Sequence, residues 1–182
     1  PLGSAAGFGS SAPIDPAVTT KELHFSKIQA NPMYCGLSRG LFELIVVQAM
    51  TPVMVAVGRL SSELLLFTSD QTEFFSLPSS FTTGSSIMPH KQNYDLFELA
   101  RGTAAMFNGY ASQLVSLQVN LTSGYQRDLQ LSKSIVLQAC DDFQSTVRVV
   151  EQAISALNVH EMALQNAITD DMKSVEKINE LI

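Results

Sequence analysis

An all-α bundle of long helices is the fold the sequence predicts, and three observations predict it. Apolar residues recur at three- and four-residue steps over three extended stretches, residues 38 to about 67, 95 to about 121, and 128 to about 158. No run alternates with period two, and no Gly-rich phosphate loop or internal repeat is present. A hydrophobic share of 46% against a charged share of 15% fits a well-buried protein or a subunit core, and 182 residues suffice for one sizeable domain.

Residues 1 to about 20 are rich in Gly, Ser, Ala and Pro and read as loop. Thr19 is the expected N-cap of a short helix that Asn31-Pro32 breaks. The first long helix carries Leu41, Leu44, Ile45, Met50, Val53, Val57, Leu60, Leu64 and Phe67, and its other face holds Val46, Val47 and Met54. A helix apolar all round is buried on several sides, and Pro52 is expected to kink it. Residues 68–83 read as loop. The second long helix sets Leu96, Leu99, Met106, Tyr110, Leu114 and Leu117 along one face and is expected to end at Thr122-Ser123-Gly124. Residues 125–130 form a polar linker with Asp128 as candidate N-cap. The third helix carries a heptad: Val136, Phe143, Val150 and Leu157 at one position, Cys140, Val147 and Ile154 at the other. After His160 the pattern weakens, and Thr169-Asp170-Asp171 opens a last helix.

Charge and composition narrow the function. Seventeen acidic residues outnumber eleven basic ones, for a net charge of −6, and no Lys/Arg cluster is present to hold a phosphate backbone, so no nucleic-acid partner is expected. Cys35 and Cys140 stand far apart in apolar contexts, which is neither a disulfide framework nor a metal spacing and fits a cytoplasmic protein. His24, His90 and His160 form no cluster, so neither metal nor cofactor is expected. The most membrane-like run, residues 44–58, is shorter than the ~20 residues of a membrane helix and contains Gln48 and Pro52, so no membrane partner is expected either.

The stretch that carries chemistry is Gly84-Ser85-Ser86-Ile87-Met88-Pro89-His90-Lys91-Gln92-Asn93. A hydroxyl-rich loop with a cation and an amide, feeding a helix start at Asp95, suits an anionic ligand, because free N–H groups and the helix dipole face it. The plain alternative is a surface loop. The order Gly-Ser-Ser-x-Met-Pro-x-Lys-x-Asn resembles the signature of the fumarase/aspartase superfamily, lyases that release fumarate from a succinyl group. That family has Pro where this chain has Tyr94, which predicts a looser hinge into the helix; Gln92 is a second departure.

A second stretch narrows the resemblance. Tyr125-Gln126-Arg127-Asp128-Leu129-Gln130-Leu131-Ser132-Lys133 is similar to a Tyr-x-x-Asp-Leu-Gln-x-x-Lys pattern of argininosuccinate lyases, and residues 1–15 read like a mid-chain segment of that family, so an internal piece of a longer enzyme is expected. The resemblance implies a central helical-bundle domain over residues 1–159 and the start of a small C-terminal helical domain over 160–182. It implies β-elimination of argininosuccinate to arginine and fumarate. Ser85 is then the base, Lys91 the cation that stabilises the aci-carboxylate dianion, and Glu98 the acidic partner of a catalytic His. Asn93 orients the succinyl group; Tyr125, Gln130 and Lys133 meet the arginine end. For Glu98 a capping box with Asp95 stands as the alternative; His90 is assigned no role. The family is a homotetramer whose sites are shared between subunits, each built from three regions, of which this stretch supplies one. Two other readings stay open, a non-catalytic crystallin-like relative and another fumarate-releasing lyase such as adenylosuccinate lyase.

Overall fold

A computed structural model describes residues 4, 5, 7–88, 92–169 and 172. The elements, in order, are α1 (Pro16–Glu22), α2 (Pro32–Leu37), α3 (Leu41–Phe67), β1 (Phe75–Ser76), a 3-10 turn (Ser79–Phe81), β2 (Thr83–Gly84), β3 (Gln92–Asn93), α4 (Asp95–Ser116), a second 3-10 turn (Arg127–Leu131), α5 (Ser132–Ser155), β4 (Asn158–Val159) and α6 (Glu161–Ala167). The architecture is the all-α long-helix bundle, with two short antiparallel ladders: β1 on β4 (Phe75↔Val159, Ser76↔Asn158) and β2 on β3 (Thr83↔Asn93, Gly84↔Gln92).

Caps move several element ends from the positions the pattern predicts. The first helix is capped by Asp15, whose Oδ1 accepts the Ala17 N–H at 2.8 Å, while Thr19 Oγ1 bonds back to the Pro16 carbonyl. Asn31-Pro32 starts a helix rather than only breaking one: Asn31 Oδ1 accepts the Met33 N–H, and Pro32 takes a first-turn position that needs no donor. α4 stops at Ser116, ahead of Thr122-Ser123-Gly124. Its end tightens into three-residue bonds, Gln118 to Val115 and Val119 to Ser116, and Asn120 turns left-handed at φ 65°. Asp128 is not a cap, since residues 127–131 wind as a 3-10 turn and α5 begins at Ser132, whose hydroxyl donates to the Leu129 carbonyl at 2.8 Å. Thr169 Oγ1 accepts the Met172 N–H at 3.4 Å. Asp170, Asp171 and residues 173–182 lie outside the described residues.

The buried stripes also differ from those predicted. α3 runs unbroken through Pro52 and buries Val47, Met54 and Ser61, seven residues apart, together with Leu64; Ile45, Val53 and Leu60 are exposed. α4 buries Phe97, Ala100, Ala104, Phe107, Tyr110 and Leu114, while Leu99 and Met106 face outward. On α5 the buried heptad is Ser132, Ala139, Thr146 and Ala153, with Val150; Phe143, Cys140 and Val147 are half-buried and Ile154 is exposed. Small side chains sit where helices meet, because interaxial distance is set by the residues at the contact. With 27 residues, α3 is also long and apolar enough, by length and composition, to cross a membrane. Glu43, Arg59 and Glu63, and its contact with α4 at Gly58 and Ala104, suit a bundle helix.

The chain divides into two compact units. One comprises Pro1–Pro52 and Met106–Asp141, the other Val53–Ala105 and Asp142–Ile182. In the second, Leu64, Leu77, Phe97 and Ala153 form the core, so α3, α4 and α5 all contribute, with Phe75, Phe81 and Tyr94 packed around them. In the first, Phe107 and Tyr110 meet edge to face at 5.5 Å, and Gly40 lies close to Gln118 and Leu129.

Candidate active site

The signature loop is the tip of a hairpin in the second unit. Thr83–Gly84 pairs with Gln92–Asn93, and residues 85–88 are the described part of the segment that follows β2. Its stem is tied to α4 twice. Thr83 Oγ1 donates to the Asp95 carboxylate, 2.5 Å from each oxygen. Tyr94 packs its ring on the Leu64–Leu77–Phe97–Ala153 core, and its hydroxyl accepts the Leu77 N–H at 3.4 Å. The looser hinge expected from the missing Pro is therefore not what forms. An aromatic anchor and a hydrogen bond fix the junction in its place.

Within the loop, Ser85 is half-buried, and its Oγ accepts the N–H groups of Ile87 (3.3 Å) and Met88 (3.1 Å). Two donors on one oxygen stabilise negative charge there. Ser86 is exposed. Asn93 is half-buried and held in the ladder opposite Thr83. Glu98 is exposed in the first turn of α4, beside a helix N-terminus that favours acidic groups. The Asp95 carboxylate is engaged by Thr83. Lys91 and His90 lie outside the described residues.

The second cluster belongs to the first unit. The 3-10 turn carries Gln130 back to Tyr125, where Nε2 donates to the phenol oxygen at 3.2 Å. Leu129, buried, anchors that turn. Lys133 is exposed in the first turn of α5. Tyr125 has a further neighbour that sequence reasoning missed: the Arg39 guanidinium lies 4.5 Å from its ring centroid. The phenol is held below its ordinary pKa, chiefly by the Gln130 hydrogen bond; desolvation opposes this, and Arg39 and Arg127 add to the lowering.

Arg39 is positioned by the turn between α2 and α3. Gly40 adopts φ +84°, which a side chain would resist, and its N–H donates to Glu43 Oε2 at 3.0 Å. Leu44 N–H bonds to the Gly40 carbonyl. This is one half of a capping box on α3: Glu43 reaches back to the Gly40 N–H, and Gly40 has no side chain to return the bond. Arg39, Glu43 and Tyr125 line a cavity of about 340 Å³ with Gly7, Pro32, Cys35, Gly36, Ser38 and Phe42. Gly40-x-x-Glu43 could have marked the start of α3 in the sequence, but not the meeting of Arg39 with Tyr125.

A family model described as lyase matches residues 1–109. The chain belongs to the lyase family. Curated relatives named argininosuccinate lyase extend the match over nearly all of it. That of Parabacteroides distasonis is 39% identical over 179 residues, covering 98% of this chain; that of Xanthomonas campestris pv. campestris is 38% identical over 176, covering 97%; that of Thermotoga neapolitana is 35% identical over 182, covering 100%. The chain spans 40%, 41% and 46% of the length of these three relatives. Two solved structures share the lyase fold. A class II fumarase from Schistosoma mansoni superposes with a TM-score of 0.67 at 18% identity, over 82% of this chain and 34% of its own. An EDDS lyase in complex with formate gives 0.65 at 20%, over 89% of this chain and 32% of its own.

Proposed function

We propose that the lyase to which this chain contributes splits argininosuccinate into arginine and fumarate, the β-elimination step of arginine biosynthesis. The observation that carries the reading is the Tyr125–Gln130 pair, joined at 3.2 Å at the positions where the resemblance puts the arginine end of the substrate. The named relatives support it over almost the whole chain.

In this reading Ser85 removes the Cβ proton. A serine hydroxyl is a poor base until its anion is stabilised, and the Ile87 and Met88 N–H groups supply part of that stabilisation. Lys91 adds its charge as the aci-carboxylate dianion forms, Asn93 orients the succinyl group, and Glu98 supports a catalytic His from another region. Electrostatic preorganisation is the largest contribution in such a reaction. Lys133 and Tyr125 hold the arginine end, which changes little as the bond breaks. The reaction draws on no cofactor or metal.

The same reading gives a cytoplasmic homotetramer with sites shared between subunits, and a C-terminal helical domain beginning near residue 160. Free thiols at Cys35 and Cys140 suit that compartment. Outward-facing Phe42, Ile45, Val46, Val53, Leu60 and Leu66 on α3, with Leu137, Val149 and Ile154 on α5, suit helix faces covered by other copies.

The test is fumarate release by the full-length protein from argininosuccinate and from adenylosuccinate, followed by absorbance. Turnover of argininosuccinate alone is expected. Turnover of the purine substrate alone assigns a different lyase, and turnover of neither favours a crystallin-like relative.

A further inference from the structure

α2 and the turn after it lie along the segment that carries Tyr125. A Cβ at Gly36 would stand 3.6 Å from the Gly124 carbonyl oxygen, and one at Gly40 would stand 3.2 Å from Leu129. Between them the Arg39 guanidinium lies 4.5 Å from the Tyr125 ring centroid, a stack that fixes the plane of the ring. Arg39 Nη1 is buried, with no hydrogen-bond partner among the described residues, so that edge of the fork faces protein and is out of reach from the cavity. Leaving a charged donor unpaired costs stability. The rest of the guanidinium turns to Tyr125, whose phenol oxygen takes a hydrogen bond from Gln130 Nε2 at 3.2 Å and another from Arg39. An amide N–H and a guanidinium can only donate, and a phenol has one proton to give. With both neighbours donating to its oxygen, that proton points to neither and is left for a third group. Arg127 differs, since it acts on the same phenol through charge alone.

We propose that Arg39 is a positioning residue for Tyr125: it sets the plane of the ring and, with Gln130, turns the phenol proton outward to the substrate. Arg39 itself touches no ligand. This rests on the argininosuccinate reading for the substrate that meets Tyr125, but not for the arrangement of the three side chains. The site thereby holds a donor of fixed direction, and loss of Arg39 is felt in binding, not in the bond-breaking at the other end of the substrate.

The test combines kinetics and NMR on the full-length protein, with thermal melting to verify that each variant folds. Arg39→Met is expected to raise KM for argininosuccinate about tenfold, the scale of one hydrogen bond, with kcat held. Tyr125→Phe should do the same, and the double variant should be no worse than either single one, since both changes disable one device. Arg39→Lys, which keeps a cation without the planar fork, should recover part of the loss. Arg127→Met should leave KM near that of wild type. In ring-labelled protein Arg39→Met should move the Tyr125 titration midpoint upward, and in wild type the Arg39 guanidinium signals should shift as the phenol ionises. That last reading needs no variant, so it tests the proposal even if Arg39→Met misfolds. Additive effects of Arg39→Met and Tyr125→Phe, an equal rise in KM from Arg127→Met, or Arg39 signals indifferent to the phenol overturn the proposal and leave the function standing. Coupled Arg39 and Tyr125 signals in a protein that releases no fumarate from argininosuccinate would uphold the positioning of Tyr125 and defeat the function proposed above.

Discussion

Ser85 and Tyr125 stand at opposite ends of the proposed reaction, and their surroundings predict opposite kinetic signatures. The Ser85 oxygen takes two backbone N–H groups, so its role lies in the charge that forms as the proton leaves. In the full-length enzyme Ser85→Ala should lower kcat by about 10²–10³ while KM holds, the scale of one lost electrostatic contact in a transition state. Near-normal kcat would pass the role of base to Ser86 or to another region. Gln130→Ala and Tyr125→Phe should instead raise KM, because they act on the end of the substrate that does not react. Tyr125 also predicts a titration. Its phenol ionises more readily in the fold than in an unfolded chain, whose value is ~10. The ionised form thus stabilises the fold above the unfolded value, and this is lost as pH falls through the folded one, so nothing is contributed at neutral pH. Carbon NMR of the ring should show Gln130→Ala moving the Tyr125 midpoint upward. An unchanged midpoint would remove the hydrogen bond as the main cause.

At the scale of elements, the hairpin junction and the helix contacts can be weighed by substitution. Tyr94→Phe leaves the ring in the core and removes the acceptor of the Leu77 N–H, which should cost about 1 kcal/mol by denaturant titration. Gly58 and Gly102 should respond with opposite signs. A Cβ at Gly58 would lie 3.0 Å from the Ala104 Cβ, forcing α3 from α4, whereas one at Gly102 meets nothing within 4 Å. Gly102→Ala should therefore gain about 0.5–1 kcal/mol of helix propensity, and Gly58→Ala should lose stability despite the same gain. These contacts also mark where the sequence was legible. The signature loop and the Tyr125–Gln130 pair were readable because each is local, a run of residues whose order carries the pattern. Arg39 was not, since nothing in a lone arginine announces a tyrosine that comes beside it only in the fold. The inner faces were misread for a different reason. On helices apolar all round, large residues recur on every side, and Gly58, Ser61, Ala139 and Ala153 mark the contact by being small.

At the scale of the whole molecule, each long helix turns one stripe inward and leaves large apolar residues outside, Phe42 at 63% and Leu99 at 70% exposure among them. Patches of that kind suit the faces that other copies cover in the proposed assembly. Light scattering should find the full-length protein tetrameric and the 182-residue chain self-associating; a stable, soluble monomer would sink the assembly. The α5 heptad of Ser132, Ala139, Thr146 and Ala153 carries the consequence further. Those side chains bury little area, so in the proposed assembly part of the free energy that keeps α5 helical comes from its outer residues packed on other copies. If that assembly forms, stability depends on protein concentration as well as on the chain. Dilution should act as a denaturant, and the melting temperature should climb with each increase in protein concentration.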